Sequence, residues 1–235
     1  VCSSDLHRIQ VNDEIMAFVS FNAVTNVINV KRGCFDTVPQ KHDAGSKVFG
    51  WDNYSGIDDL EYLSGEVLSL KALTLTGSDL LELNEATAHS LTLYSRAIRP
   101  YPPANVKING EYWSEEVNSD LILTWADRNR VQQTGGSILG WYEGSVTIEP
   151  GTQTHLILSQ LDENKIELAT SNANVTGAMS YTMPISSMQA DTRFVKVTLK
   201  TVRDSYECLQ PFEYTVELSQ FFSAPYDLTV EFKND

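Results

Sequence analysis

The tetrapeptide Pro100-Tyr101-Pro102-Pro103 constrains this chain more than any other feature. Proline cannot donate to a sheet ladder, so the run must lie between strands or at a sheet edge. Period-two alternation stands on both sides of it. Leu91 and Leu93 alternate with Thr92 and Tyr94 before the run, and Val106 and Ile108 alternate with Lys107 and Asn109 after it. Leu121, Leu123 and Trp125 then alternate with Ile122 and Thr124. Resumed alternation after a Pro-rich segment is how a β-sandwich module opens. The run is therefore expected to be a domain boundary that few contacts cross, with Trp125 in the sandwich core.

Seven strands are expected beyond the boundary, at 104–109, 120–126, 153–159, 164–170, 179–185, 193–202 and 212–220. Val195, Val197 and Leu199 alternate with Lys196, Thr198 and Lys200 and so share one face. The first half also reads as β. Residues 14–21, EIMAFVSF, are apolar on both faces, as in a covered central strand. Residues 25–32 supply a partner, Val48–Trp51 a short strand, and most of Gly65–Thr76 another. Leu80 to Ala88 is open between helix and loop. The expected class is all-β: a β-rich segment at 7–99, then an immunoglobulin-like sandwich at 100–221. Residues 222–235, with the alternation of Asp227–Phe232, would begin a further strand or module.

Two motifs carry a resemblance. Pro-x-Asn-Val-Lys-Ile followed by Leu-x-Leu-x-Trp looks like the first two strands of a fibronectin type III domain. The wider pattern joins Arg96, Arg99, Pro100 and Pro103 to Trp125, Arg128 and Arg130. It resembles the tail-tip or baseplate hub proteins of long-tailed phages and gene transfer agents. Arg32-Gly33-Cys34-Phe35-Asp36-Thr37-Val38-Pro39, with His42, Ala44 and Gly45, resembles a second signature of those hub proteins. The resemblance covers roughly residues 30 to 130. It implies a structural protein of the virion, assembled in the bacterial cytoplasm. The first segment would build the tail tip, and the sandwich would project as a spacer or host-contact module. It further implies self-association, as a ring or trimer, and contact with other tail proteins and a host receptor or glycan. One departure stands out: fibronectin modules usually start the penultimate strand with an inward tyrosine, where this chain has Arg193.

The formal net charge is −14, which lacks the basic footprint of a nucleic-acid binder. No apolar run approaches the roughly 20 residues of a spanning helix. Outside Cys2, the cysteines Cys34 and Cys208 have no ligand spacing and read as free buried thiols. The histidines His7, His42, His89 and His155 are scattered, and His42 reads as a turn residue bonding backbone. The sequence contains no zincin motif, P-loop, dinucleotide fingerprint or nucleophile elbow, so neither an enzyme nor a cofactor is expected. Asp52, Asn53, Asp58, Asp59 and Glu61 form the best oxygen cluster, but their spacing suits a solvated acidic loop better than calcium.

Trp113, Trp141 and Tyr142 are the candidate contact residues for a ligand or host. Either they form a sugar-stacking platform, or one ring caps the core. The competing function is a secreted or surface carbohydrate-binding protein with fibronectin-type modules. The leader Val1–Leu6 resembles one reading frame of a sequencing adapter and is set aside as an artefact.

Overall fold

A computed structural model describes residues 8–51, 58–134, 138–144 and 146–219. The leader, the Asp52–Gly56 turn and the alternation at Asp227–Phe232 lie outside the described residues. The protein is all β with a sandwich, as the alternation predicts.

In the first half, β1 (Arg8–Val11), β2 (Glu14–Asn22), β3 (Val27–Lys31) and β4 (Val48–Gly50) form an antiparallel sheet in the order β3-β2-β1-β4. β2 lies between β1 and β3 as expected, but only its first half is covered. Glu14, Met16 and Ala17 are buried, whereas Val19 and Phe21 are 56% and 53% exposed. The ladder to β3 shifts register between Phe18 and Ser20, and the apolar faces beyond that bulge stand open. Among the described residues, β5 (Val67–Lys71) and β6 (Ala88–Thr92) pair only with each other. The strand expected over most of 65–76 stops at Lys71. Thr76 and Asp79 close a turn there, and Leu75 makes an isolated bridge with Leu80.

All seven strands expected in the second half are present. They are β7 (Ala104–Ile108), β9 (Leu121–Ala126), β10 (Gln153–Leu161), β11 (Glu167–Asn174), β12 (Ser180–Met183), β13 (Phe194–Arg203) and β15 (Phe212–Leu218). Two ladders of only two residues, β8 (Glu116–Val117) and β14 (Tyr206–Glu207), are too short to show a period. A helix, α1 (Arg130–Thr134), follows β9. One sheet runs β12-β9-β7, and the other runs β11-β10-β13-β15-β8 with β14 on β13. Among the described residues, only the β15–β8 contact is parallel. Between them lie Val106, Ile108, Leu121, Leu123 and Trp125 from the smaller sheet. Leu156, Leu158, Val195, Val197, Leu199, Phe212 and Val216 come from the larger.

Arg193 occupies the inward tyrosine position, in phase with the buried Val195 and Val197. Its guanidinium donates to the Leu218 carbonyl at 3.0 Å and pairs with Glu217. An arginine therefore ties the end of β15.

The boundary at Pro100–Pro103 needs correction, because many contacts cross it. Pro100, Tyr101, Pro102 and Pro103 are all buried. Thr201 Oγ1 donates to the Tyr101 carbonyl at 2.9 Å. Val38, from the first half, belongs to the sandwich core. Its N–H donates to Gln210 Oε1 at 3.1 Å, and Gln210 Nε2 donates back to the Asp13 carbonyl at 2.8 Å. The prolines form a packed strap because missing N–H donors cost nothing where no ladder is built. Alternation locates strands but not where a loop packs.

Trp125 is 5% exposed among the core side chains of the smaller sheet. Trp125→Ala should cost roughly 3–5 kcal/mol, the range for deleting a large buried aromatic. Urea denaturation of the whole chain measures it; an unchanged midpoint would place the ring outside the core.

Candidate functional site

The two signatures meet at one junction, and Glu14 lies at its centre. Glu14 heads β2 and is fully buried. An isolated buried carboxylate is costly, so it must be paired and hydrogen-bonded. Arg32 grips it with two bonds, Nε to Oε1 at 2.6 Å and Nη2 to Oε2 at 2.7 Å. The Gly33 N–H donates to Oε1 at 2.8 Å and the Gln40 N–H to Oε2 at 2.9 Å. His42 Nε2 lies 2.8 Å from Oε2, while Asn12 Nδ2 donates to His42 Nδ1 at 3.2 Å. The Glu14 carboxylate can only accept, so His42 Nε2 donates to it. His42 thus bonds a side chain, not the backbone that the sequence suggested. Burial pushes the Glu14 carboxyl up, but Arg32, the Gln40 N–H, His42 and the Gly33 N–H together hold it below its ordinary value.

The loop above this carboxylate leaves no slack. Gly33 has φ +56°, and a Cβ there would meet Pro39 Cδ at 2.5 Å and Trp141 Cβ at 2.8 Å. Only glycine fits. Phe35 takes φ +57°, a strained value for a bulky residue. Arg128 Nη2 donates to its carbonyl at 3.1 Å, and the Arg8 guanidinium lies over its ring at 5.2 Å. Thr37 Oγ1 donates to the Cys34 carbonyl at 2.7 Å and accepts from the Ile15 N–H at 3.1 Å. Cys34 and Cys208 are free and buried, and burial pushes the Cys34 thiol up to about 11.

Asp36 joins the signatures. It is 4% exposed, and Arg96 clasps it through Nε at 2.6 Å and Nη2 at 2.8 Å. Arg128, 5% exposed, donates to the carbonyls of Gly33, Phe35 and Leu139 at 3.1 to 3.4 Å. Burial lowers its pKa to about 10, so it remains a cation at neutral pH. Arg130 donates to the Ala97 carbonyl at 2.9 Å and pairs with the buried Glu149 at 2.7 Å. Arg99 donates to the carbonyls of Tyr94 and Glu207, and its guanidinium lies 5.6 Å from the Tyr206 ring. The signature residues thus brace backbone and one another.

The aromatic candidates separate. Trp141 is fully buried and cannot touch a ligand or host, which corrects its place in that set. Its ring packs in a three-ring cluster with Trp113 at 5.4 Å and Phe212 at 5.9 Å, and its backbone N–H donates to the Arg32 carbonyl at 2.8 Å. Tyr142 is 41% exposed and meets Tyr112 edge to face at 4.9 Å. Trp113, half-buried, donates from Nε1 to Tyr142 Oη at 3.2 Å. The open ledge is therefore Tyr112 and Tyr142 above a half-covered Trp113.

Of the oxygen cluster, Asp52 and Asn53 lie outside the described residues. Asp58 accepts from Tyr62 Oη at 2.5 Å and the Leu60 N–H at 3.1 Å. Among the described residues, no group of three or more His, Cys, Asp or Glu is placed to hold a metal ion. No helix among them is long and apolar enough to cross a membrane.

Sequence reading missed Glu14, Glu149 and the bracing role of Arg96. A signal for Glu14 was present: a carboxylate heading a strand apolar on both faces demands a cation. No protein-family model matches this chain, and no curated protein matches it.

Gly33→Ala should cost more than about 2 kcal/mol, from positive φ and overpacking together. Because the Glu14 carboxyl is depressed, its contribution is fully present above its ordinary value of 4.5 and is lost as pH falls through the folded value. Glu14→Gln should destabilise by about 3 kcal/mol at pH 7 and flatten the acid limb of the stability curve. Thermal melts of both proteins from pH 7 to pH 3 measure this; parallel curves would mean Glu14 does not carry the acid sensitivity.

Proposed function

We propose that this chain is a structural component of a phage or prophage tail tip or baseplate. Its first segment belongs to the hub, and the sandwich projects from it as a spacer or host-contact module. The observation that carries the reading is the junction. The residues that resemble the hub signatures spend their polar groups on three carboxylates, Glu14, Asp36 and Glu149, and on a set of backbone carbonyls. Such an arrangement transmits load between two β units. A projecting module on a tail needs a stiff root of this kind.

The first half supports assembly. Val19, Phe21, Val27 and Ile28 lie exposed on β2 and β3, and Val67, Leu70 and Leu91 on β5 and β6. Contiguous exposed apolar surface and open strand edges mark surfaces that other chains cover. In this reading they are covered by further copies of the chain and by neighbouring tail proteins. The Tyr112–Tyr142 ledge favours a second reading, contact with a glycan, either from the tail or as a secreted carbohydrate-binding protein. Antibody-gold labelling of tailed particles from the source strain separates the two: gold at the tail tip supports the first, and label confined to the medium or cell surface contradicts it.

The purified chain should sediment as a homo-oligomer, and Phe21→Asp should shift it toward monomer without lowering the melting temperature. Sedimentation velocity measures both. A monomeric wild type at tens of micromolar would contradict the assembly surface.

A further inference from the structure

A cavity of about 350 Å³ lies beside the junction, within the usual size range of small-ligand sites. Ile15, Phe35, Trp51 and Ala97 give it apolar and aromatic walls. Arg8, Arg96 and Arg130 line it against one carboxylate, Asp36. That balance is cationic on a chain of net charge −14.

The polar groups facing this space are not all used. Arg96 engages Asp36 through Nε and Nη2, leaving Nη1 without a partner among the described residues. The Arg8 guanidinium makes a ring contact with Phe35 but no ion pair among the described residues. Tyr101 is the sharper observation. It lines the cavity and is only 9% exposed. Its carbonyl accepts from Thr201, but its hydroxyl bonds nothing among the described residues. The ring is buried but the hydroxyl is reached by solvent, so it is free to donate into the cavity. Burial, and Asp36 beside it, push its pKa up to about 12, so it is a neutral donor at physiological pH.

We propose that this cavity binds a carboxylate carried on an aromatic body. Tyr101 Oη and the unused edges of Arg8 and Arg96 supply donors, and guanidinium edges suit carboxylate oxygens. Phe35 and Trp51 supply flat apolar surface for the ring. The Asp36 carboxylate in the wall disfavours a dianion such as phosphate. The ligand is therefore a monoanionic aryl acid, either free or as the carboxyl-terminal aromatic residue of a peptide.

Isothermal titration of the 235-residue chain with 3-phenylpropanoate tests this. Saturable binding is expected, at least tenfold tighter than for 3-phenylpropanamide, acetate or inorganic phosphate. Tyr101→Phe and Arg8→Gln should each weaken it at least fivefold. Arg8 is exposed, so its replacement keeps the test decisive even if Tyr101→Phe lowers the melting temperature. A tetrapeptide ending in phenylalanine, with a free or amidated terminus, distinguishes the sources. Tighter binding of the free-terminus peptide than of the small acid assigns a chain end; the reverse order assigns a free acid. Equal binding of acid and amide, no saturation by any probe, or unchanged affinity in both variants overturns the site.

Discussion

A fully buried carboxylate with one two-pronged cation and three further donors is the constraint on which the junction depends. Glu14 organises segments that are far apart in sequence: the turn at Asn12, the loop from Arg32 to Gln40, and His42. Each donor satisfies oxygen lone pairs that would otherwise be desolvated without compensation. The loop is thereby fixed in a shape that presents the Arg32, Gly33 and Phe35 carbonyls outward from the first sheet. Those carbonyls receive Trp141 and Arg128 from the sandwich half.

Rigidity follows from how the two halves share groups. Arg128 is a buried cation solvated by backbone carbonyls, so it can be removed only by exposing them or leaving them unpaired. Val38 fills part of the sandwich core from the other side of the strap. The strap itself is buried, and its prolines offer no N–H that would need a partner. Separating the halves would therefore cost apolar burial and buried polar bonds together. The remainder of the first half contrasts with this. Among the described residues, β5 and β6 pair only with each other, and they expose large apolar side chains. Stiffness is concentrated at the root, and unpartnered surface lies away from it.

Much of the fold was legible in the sequence, and the reason is physical. Period-two alternation reports which faces of a strand are buried, and in Phe194–Arg203 or Phe212–Leu218 one face packs in the sandwich while the other is exposed or half-buried. The same rule misled at 14–21, where the pattern says apolar on both faces but the far half of β2 is exposed. The signature positions were readable as a group. Their roles were not, because the partners of Arg32 and Asp36 lie outside the local window: Glu14 is 18 residues before Arg32, and Arg96 is 60 residues after Asp36. Trp141 shows the same limit. Glycine and polar neighbours marked it as a loop residue, yet Gly33, where a Cβ would meet the Trp141 Cβ at 2.8 Å, lets this residue pack against the Arg32 loop. Tyr101 was read as part of a linker because nothing in Pro-Tyr-Pro-Pro discloses what a loop packs against.

The central claim is that the Glu14 junction joins both halves into one cooperative unit across the proline strap. Native-state hydrogen exchange in increasing urea tests it most directly, at three amides along the chain of contacts. The Cys34 N–H donates to Ile15 within the first half, the Trp141 N–H to Arg32 across the junction, and the Asn105 N–H to Trp141 within the sandwich half. The account predicts that all three open with the same free energy and the same urea dependence. Exchange of Cys34 and Trp141 through a low-energy local opening, while Asn105 stays protected to global unfolding, would contradict it.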